Sequence, residues 1–379
     1  MNMIIRGDGS ALFGPSGQIG VARALGEFHA GRPVLVTGGD ETILALPAEG
    51  LGDQRLNEFV RLCAPAAPRL IITARRALAL GLEASTPVAV HVGGSADAET
   101  ILAIVADAKR HRFSGTEPAR PAAKAAIQLA KLAQGLPAVL VADAARAIAS
   151  THDIIGVEAD SIARFGADII QSLTVASRAE VPLKLGKRAT FVVFRDGIGG
   201  SPAAIIIGKP DFNKPVLVRL HSACLTGDVF GSRRCDCGDQ LQLALNHLEE
   251  QGGGIVLYLA QEGRGLGLAN KMRTYQMQDD GLDTIDANTT LGFDEDERDY
   301  GIAARMLQML GCNRVVLLTN NPAKIEGLAK SGIEIAGRMP IEAPINLDNR
   351  RYLATKASRA GHRLNYIASL SETSEPPRI

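Results

Sequence analysis

Short apolar runs alternate with helical patterns along the first half of the chain. The stretches 98–109 and 120–133 repeat apolar residues at helical spacing, and the first should direct Ile101, Ile104, Val105 and Ala108 to one face. Apolar runs bounded by turn residues are typical of buried strands, and here they cover residues 33–37, 69–73, 87–92 and 137–141. The alternation predicts an α/β domain.

The second half continues the alternation after a charged, irregular stretch at residues 178–188. Apolar residues at positions 241, 244, 245 and 248 predict an amphipathic helix. Predicted strands cover residues 189–194, 203–207, 216–220, 255–259 and 315–319. We therefore predict a mixed α/β (α+β) fold of two domains, each a mixed sheet covered by helices, at residues 1–177 and 178–370. The end, residues 371–379, is expected to be disordered.

Composition narrows the class of protein. The 379 residues include 41 basic and 41 acidic side chains, so bulk charge predicts neither nucleic acid nor a membrane surface as partner. No apolar run approaches the roughly 20 residues of a membrane span, and the N-terminus lacks a signal-peptide core. Five cysteines, an odd number with three clustered, favour the reducing cytoplasm over a disulfide framework.

The clustered cysteines are the strongest chemical feature. Cys224, Cys235 and Cys237 follow the pattern Cys-x10-Cys-x-Cys, which can bring three thiolates to one zinc ion. Three protein ligands leave a fourth position for water, which the metal would acidify to supply hydroxide. A closed structural site with a fourth ligand such as His221 is the alternative. The other two cysteines, Cys63 and Cys312, are expected to be small buried apolar residues.

Glycines 263, 265 and 267 lie between a predicted strand and a predicted helix. A dinucleotide fingerprint would need glycine at position 268, where this chain has Leu268. The turn can hold a phosphate on its backbone amides, with Arg264 adding charge, or it can simply be tight.

Two further polar segments are candidates for substrate contact. The acidic run at 294–299 is either a solvated helix start or a frame that orients Arg298 toward a phosphate. Thr319, Asn320, Asn321 and Lys324 leave a predicted strand at a helix start. Their hydroxyl, amide and ammonium donors suit a phosphate or a purine edge.

These segments resemble one enzyme family. Residues of about 178–362 are similar to GTP cyclohydrolase II in the strings RLHSACLTGD, RRCDCGDQL, QEGRGLGLANK, LGFDEDERDYG and LTNNPAK, which stand in the same order. The resemblance implies a homodimeric enzyme of riboflavin biosynthesis that uses zinc and Mg²⁺. Its substrate would be GTP, and its products formate, pyrophosphate and 2,5-diamino-6-ribosylamino-4(3H)-pyrimidinone 5′-phosphate.

The resemblance also implies roles for individual residues. Zinc would be held by Cys224, Cys235 and Cys237, with Asp296 as proton acceptor and Tyr275 near the opening ring. The family's proposed nucleophile falls on Arg298, but a guanidinium is a poor nucleophile, and we expect an electrostatic clamp first. The implied GTP contacts are Arg219, Leu220, His221, Ser222, Ala223, Gln240, Glu262, Gly263, Arg264, Thr284, Thr319 and Lys324.

Two alternatives stay open from the sequence. A paralogue would use the same zinc site to open another nitrogen heterocycle. A regulatory module would bind a nucleotide without turnover, although the complete cysteine triad argues against it.

The first half is similar in layout to 3,4-dihydroxy-2-butanone 4-phosphate synthase through GRPVLVTGGDETILALPAE. Of that family's acidic metal motif only Asp40 and Glu41 stand here, and its Arg-x-Gly-His-Thr-Glu motif is missing. We therefore expect a degenerate domain kept for packing, dimerisation or regulation.

Two positions depart from the GTP cyclohydrolase II pattern. The family commonly has HSEC and RQEGR, where this chain has Ala223 and Ala260 in place of the acid and the base. Ala223 directly precedes the zinc ligand Cys224, and Ala260 ends the strand that leads to the glycine turn, so both should open on one cleft if each loop touches GTP. We hypothesise that the two family residues form an ion pair that this chain lost as a unit.

Overall fold

The computed structural model describes residues 14–91, 96–108, 113, 115–144, 153–184, 188–359 and 361–362. The expected disordered tail at 371–379 lies outside these residues. Each helix within these ranges is too short or too polar to span a bilayer. The described residues form two compact units: the first holds those within 1–168, 272–277 and 286–295, and the second those within 169–271, 278–285 and 296–362.

The sheet of the first unit is mixed, in the order β5-β4-β3-β6-β2-β1-β7. Neighbouring strands are antiparallel except β1 and β7, which pair in parallel. Its strands are β1 (Val34–Gly38), β2 (Glu41–Pro47), β3 (Arg69–Ile72), β4 (Val88–Val90), β5 (Thr116–Pro118), β6 (Ala138–Asp143) and β7 (Gly156–Glu158). The central strands are apolar on both faces and buried, as is expected where helices cover a sheet.

Three of the helices in the N-terminal half begin at a recognisable capping signal. Thr73 caps α3 and Asp97 caps α4 through side-chain oxygens that accept a backbone N–H, while Pro121 opens α5. The helices are α1 (Ser16–His29), α2 (Asp53–Cys63), α3 (Ala74–Ala79), α4 (Ala98–Ala106), α5 (Pro121–Leu132) and α6 (Ala159–Gln171).

The sheet of the second unit has the order β14-β13-β11-β12-β10-β9-β8. Its first four strands run parallel and the remainder antiparallel. The strands are β8 (Thr174–Pro182), β9 (Arg188–Arg195), β10 (Ala203–Gly208), β11 (Val216–Ser222), β12 (Gly253–Leu259), β13 (Arg314–Leu318) and β14 (Glu334–Met339). The predicted class, two mixed sheets with helices, is confirmed.

The remaining helices include Leu268–Asp279 and Thr284–Thr290, whose residues are divided between the two units. They are α7 (Leu225–Asp228), α8 (Cys237–Glu250), α9 (Leu268–Asp279), α10 (Thr284–Thr290), α11 (Gly301–Met309), α12 (Pro322–Lys330) and α13 (Arg350–Ser358). In the second unit, α11 contributes Ala303, Ala304, Met306 and Leu307 to a core shared with the central strands.

Two local predictions were wrong. The stretch 178–188 was expected to be irregular, but strand β8 continues to Pro182 and pairs with β9. All residues of this edge strand are exposed. Its sequence therefore lacks the alternation of apolar and polar residues that would have predicted a strand. Helix α4 ends at Ala106, and Ala108 is exposed instead of lying on the inner face. Cys63 and Cys312 are buried, as predicted.

Candidate active site

The candidate site gathers at the carboxyl ends of three parallel strands of the second unit. Cys224 follows β11, Glu262 follows β12 and Thr319 follows β13, and these strands are adjacent in the order β13-β11-β12. Ligands of open α/β sheets bind at this edge, because loops from neighbouring strands converge there. The sheet order therefore brings together residues that are far apart in sequence.

The three predicted zinc ligands lie close together. The thiol sulfurs of Cys224, Cys235 and Cys237 are all within 4.8 Å of one another, and Cys224 Sγ is 3.7 Å from Cys235 Sγ. A Cβ at Gly227 would lie 3.0 Å from Cys235 Sγ and 3.1 Å from Cys224 Sγ. Only glycine leaves room for the sulfurs there, so the loop is shaped around the triad. Among the described residues this is the one cluster of three or more potential ligands that could hold a metal.

Asp228 organises the loop that carries the first cysteine. Its carboxylate accepts hydrogen bonds from the Cys224 N–H and the Tyr258 hydroxyl, each 3.0 Å long, and lies 3.0 Å from His221 Nε2. The rings of His221 and Tyr258 stack at a centroid distance of 5.6 Å. Burial lowers the pKa of His221, although the hydrogen bond to Asp228 opposes that shift. His221 is thus engaged with a carboxylate through Nε2, rather than completing the thiol cluster.

Lys271 connects the cysteines to the turn after β12. Its ammonium lies 3.1 Å from Cys224 Sγ and donates to Glu262 Oε1 at 2.7 Å and Thr226 Oγ1 at 2.9 Å. The other Glu262 oxygen accepts from the Leu225 N–H at 2.7 Å. Hydrogen bonds from Cys235 and Cys237 lower the pKa of Cys224, and the Lys271 charge lowers it further. The surroundings thus favour the anionic form of one thiol.

The glycine turn is tight and packs against the loop of Asp296 and Arg298. Gly263 and Arg264 both have φ near +60°, a conformation uncommon outside glycine. The Glu297 N–H donates to the Arg264 carbonyl at 3.1 Å, and a Cβ at Gly265 would lie 3.0 Å from the Glu297 carbonyl. Gly265 therefore permits a close backbone approach that a larger residue would block.

Asp296 and Arg298 form a two-pronged ion pair. Arg298 Nε donates to Asp296 Oδ1 at 2.7 Å, and Nη2 donates to Oδ2 at 2.5 Å. Although burial opposes ionisation of both groups, the pKa of Asp296 is lowered and that of Arg298 is raised through this pairing. The guanidinium lies 5.7 Å from the centre of the Tyr300 ring. Both side chains are therefore held in their charged forms.

A second hydrogen-bond network involves Asp236, which lies between Cys235 and Cys237 in sequence. Arg219 Nη2 donates to Gln240 Oε1 at 2.5 Å, and Gln240 Nε2 donates to Asp236 Oδ2 at 2.5 Å. The other oxygen of Asp236 accepts from Lys356 Nζ at 2.6 Å. Burial lowers the pKa of Arg219 to about 10. Asp236 stands between two of the cysteines in sequence, so this network also fixes the start of helix α8.

Lys324 completes a group of cations that influence one another. It is buried and donates to the Leu220 carbonyl at 2.7 Å, while the Thr319 hydroxyl accepts from the Asn321 N–H at 3.0 Å. Burial lowers the pKa of Lys324 well below its usual value. Nearby positive charges lower it further, and we call the whole set the cationic cluster: Arg219, Arg298, Lys324 and Lys356. Two of these cations are paired with carboxylates, Arg298 with Asp296 and Lys356 with Asp236. An anion bound beside Arg219 and Lys324 would relieve the remaining repulsion.

The remaining predicted site residues lie on separate elements. The Ala223 N–H donates to the Leu259 carbonyl at 2.8 Å. The buried Ser222 hydroxyl has no hydrogen-bond partner among the described residues. Thr284 begins α10 and accepts a 3.5 Å contact from Gln278 Nε2. Tyr275 lies on α9 in the segment that belongs to the first unit, and its role stays a prediction.

Sequence reasoning missed four side chains that support the site: Tyr258, Asp228, Lys271 and Lys356. None belongs to a spacing pattern, because each meets its partner through long-range packing. Asp228 is the last residue of the family string RLHSACLTGD. An acidic residue that lies between two predicted zinc ligands in sequence could have indicated its supporting role.

A thiol triad with two of its three cysteines buried, beside a cationic cluster, is suited to an enzyme that holds a metal ion and takes an anionic substrate. Residues 174–340 match the family model described as GTP cyclohydrolase II. GTP cyclohydrolase-2 of Azospirillum brasilense is 41% identical, over 90% of this chain and 93% of its own. GTP cyclohydrolase-2 of Xylella fastidiosa (strain Temecula1) is 39% identical, over 97% of this chain and 92% of its own.

The chain belongs to the GTP cyclohydrolase II family and is an enzyme. The riboflavin biosynthesis protein RibBA of Bacillus cytotoxicus is 54% identical over 43% of this chain and 41% of its own. A solved two-domain 3,4-dihydroxy-2-butanone 4-phosphate synthase from A. baumannii is 18% identical, covers 86% of this chain and 99% of its own, and has a TM-score of 0.34.

Proposed function

We propose that this chain hydrolyses GTP in the first step of riboflavin biosynthesis. The products are 2,5-diamino-6-ribosylamino-4(3H)-pyrimidinone 5′-phosphate, formate and pyrophosphate. The observation that carries the proposal is the presence, in one compact unit, of the thiol triad and the cationic cluster. The first suits a hydrolytic metal ion, and the second suits a triphosphate.

The donor set fits zinc. Three thiols at mutual ligand distance, on a loop that Gly227 keeps open, match the sulfur ligation that zinc prefers. A zinc ion bound by Cys224, Cys235 and Cys237 would supply Lewis acidity and lower the pKa of water near the purine ring. Lys271 and Asp228 orient the first of these ligands from either side.

The chain's own residues would move protons and hold charge. Asp296, kept ionised by Arg298, is the proposed proton acceptor, and Tyr275 is the proposed group near the opening ring. Arg298 is proposed as an electrostatic clamp on the phosphates, because a guanidinium with a raised pKa stays a cation and attacks poorly. Its two bonds to Asp296 use Nε and Nη2, and Nη1 carries two further donors.

Contacts to GTP are proposed along the carboxyl edge of the sheet. Arg219, Lys324 and Arg264 would neutralise phosphate charge, and amide and hydroxyl groups would orient the nucleotide. The full proposed set is Arg219, Leu220, His221, Ser222, Ala223, Gln240, Glu262, Gly263, Arg264, Thr284, Thr319 and Lys324. We further propose Mg²⁺ on the triphosphate, a homodimeric assembly and a cytoplasmic location.

The test is incubation of the purified, zinc-loaded protein with GTP and Mg²⁺. We expect pyrophosphate, formate and the pyrimidine product in equal amounts. Parallel reactions with ATP, ITP and XTP serve as controls for the base. Turnover of another nucleotide but not GTP would instead identify a paralogue, and zinc binding without any turnover would identify a regulatory module.

A further inference from the structure

The segment that leads into the Asp296–Arg298 loop is held by residues of the N-terminal half. Residues Asp286–Glu295 cluster with Met1–Asp168 in the first unit, although their sequence lies inside the GTP cyclohydrolase II match. Helix α3, its N-cap residue and Lys131 of helix α5 provide the contacts.

Thr73 anchors the segment at Gly292. Its hydroxyl donates to the Gly292 carbonyl at 2.7 Å and accepts from the Arg76 N–H at 3.1 Å, so a single side chain joins the segment to the start of α3. Gly292 has φ +93°, and a Cβ there would lie 2.7 Å from Thr73 Oγ1 and 3.1 Å from Arg76 Cβ. Glycine is therefore needed both for the backbone conformation and for the close approach.

Arg76 anchors the same segment two residues earlier. Its side chain is almost fully buried, and Nη1 donates to the Thr290 carbonyl at 2.7 Å. The other donors hold the end of α4, through Ile104 at 2.7 Å, Ala103 at 3.2 Å and Asp107 at 2.6 Å. A buried cation is costly unless its donors are satisfied. Here four backbone carbonyls of two separate segments satisfy it.

A third anchor lies nearer the surface, at Asp294. Its carboxylate oxygens lie 3.2 Å from Arg75 Nε and 3.4 Å from Lys131 Nζ. The pKa of Asp294 is lowered because the charges and hydrogen bonds of these two cations outweigh burial. Contacts at residues 290, 292 and 294 thus fix the chain up to two residues before Asp296.

We propose that the N-terminal half positions the catalytic loop, with Thr73 and Arg76 as positioning residues for Asp296 and Arg298. This rests on the proposed function for the roles of those two residues. Restricting the segment before them limits the positions that their side chains can adopt, and correct orientation of catalytic groups is a large part of rate enhancement. The half of the chain that carries only remnants of an acidic metal motif would then serve the activity of the other half.

Thr73→Val is the first test, since valine has the same shape and makes neither hydrogen bond. We expect kcat to fall about 10-fold or more, because Asp296 and Arg298 lose their orientation. KM for GTP should change by less than about 2-fold, because the other proposed phosphate contacts, Arg219, Arg264 and Lys324, are untouched. Thr73→Ser keeps the hydroxyl and should restore kcat to within about 2-fold of wild type. The matched control is Asp97→Ala, which removes another N-cap of the same unit, the cap of α4.

A second measurement needs no substrate. Hydrogen–deuterium exchange of peptides covering residues 288–299 should be faster in Thr73→Val and in Gly292→Ala, and unchanged in Asp97→Ala and Thr73→Ser. Unchanged exchange and unchanged kcat in Thr73→Val would overturn the proposal. An equal fall of kcat in Asp97→Ala would also overturn it, since the effect would then be general destabilisation. If wild type does not turn over GTP, the proposed function fails and the exchange result alone decides the positioning role.

Discussion

The Arg298 guanidinium faces the Asp296 carboxylate in a fork, with Nε 2.7 Å from Oδ1 and Nη2 2.5 Å from Oδ2. The Arg298 backbone N–H also donates to Asp296 Oδ1, at 3.1 Å. A planar guanidinium is needed for this arrangement, because a lysine ammonium offers one point charge on a flexible stem. The pair fixes the orientation of the proposed proton acceptor as well as the charge of the clamp.

Arg298→Lys should therefore lower kcat/KM for GTP strongly. Loss of charge-assisted hydrogen bonds costs roughly 1.5–3 kcal/mol, which corresponds to about a 10- to 150-fold loss of rate. Pyrophosphate and formate release measure it. Arg314→Lys is the matched control, since Arg314 forms an exposed pair with Glu334 in the same unit. Near-normal turnover in Arg298→Lys would mean that Arg298 is not a clamp on the phosphates.

Cys235→Ser should lose zinc and formate release together. The substitution removes a thiolate from a three-thiol set and leaves a weak ligand. Zinc content by elemental analysis and formate yield measure the two effects. Cys312→Ala, at a buried cysteine outside the triad, should retain both. Formate release from zinc-free protein would contradict the catalytic role of the metal.

Lys356→Met should destabilise the second unit. Lys356 and Asp236 are 2.6 Å apart with side-chain exposures of 10% and 1%, and an uncompensated buried charge costs roughly 3–5 kcal/mol. Denaturant unfolding of the zinc-loaded protein measures the loss. Lys330→Met breaks an exposed pair with Glu326 and should cost less than about 1 kcal/mol. Equal effects of the two changes would show that the buried pair contributes no more than a surface pair.

His221 should make the protein less stable as the pH falls below neutrality. Burial holds its native pKa below the ordinary value of about 6.5, so below that pH the unfolded chain binds a proton that the folded chain does not. The stabilising contribution is complete above pH ~6.5 and is lost as the pH falls toward the native pKa. Unfolding free energies from pH 7.5 to 5 should decline less steeply in His221→Gln. Parallel curves for the two proteins would refute the prediction.

The Ala223 and Ala260 positions can be tested as a pair. Their backbones are adjacent as the hypothesis requires, since Ser222 pairs with Leu259 and the Ala223 N–H donates to the Leu259 carbonyl. Ala260 is exposed, so an ion pair here should contribute about 0.2–1 kcal/mol rather than the cost of a buried charge. A double-mutant cycle tests this pair: stability and turnover are measured for Ala223→Glu, for Ala260→Arg and for the double variant. Strictly additive effects would show that the two side chains do not meet.

Local patterns in the sequence determined much of the scaffold. Strands β6 and β12 contain continuous apolar runs because both of their faces are buried, and helix α8 shows its buried face at 244 and 248 because only one side of it is buried. The cysteine triad was equally visible, since metal ligation requires particular side chains at short separations. Edge strand β8 was not found, because exposure on both faces removes that period.

Only the tertiary structure determined which residues contact the side chains of the site. Lys271 meets Cys224, Lys356 meets Asp236, and Thr73 meets Gly292 across 219 positions of sequence. Sequence spacing carries no information about such pairs, since the sheet order and the packing of helices bring them together. The grouping of residues 286–295 with the first unit has the same origin. The residue types in the sequence indicated which side chains take part in the chemistry. The contacts that orient those side chains form only when the whole chain is folded.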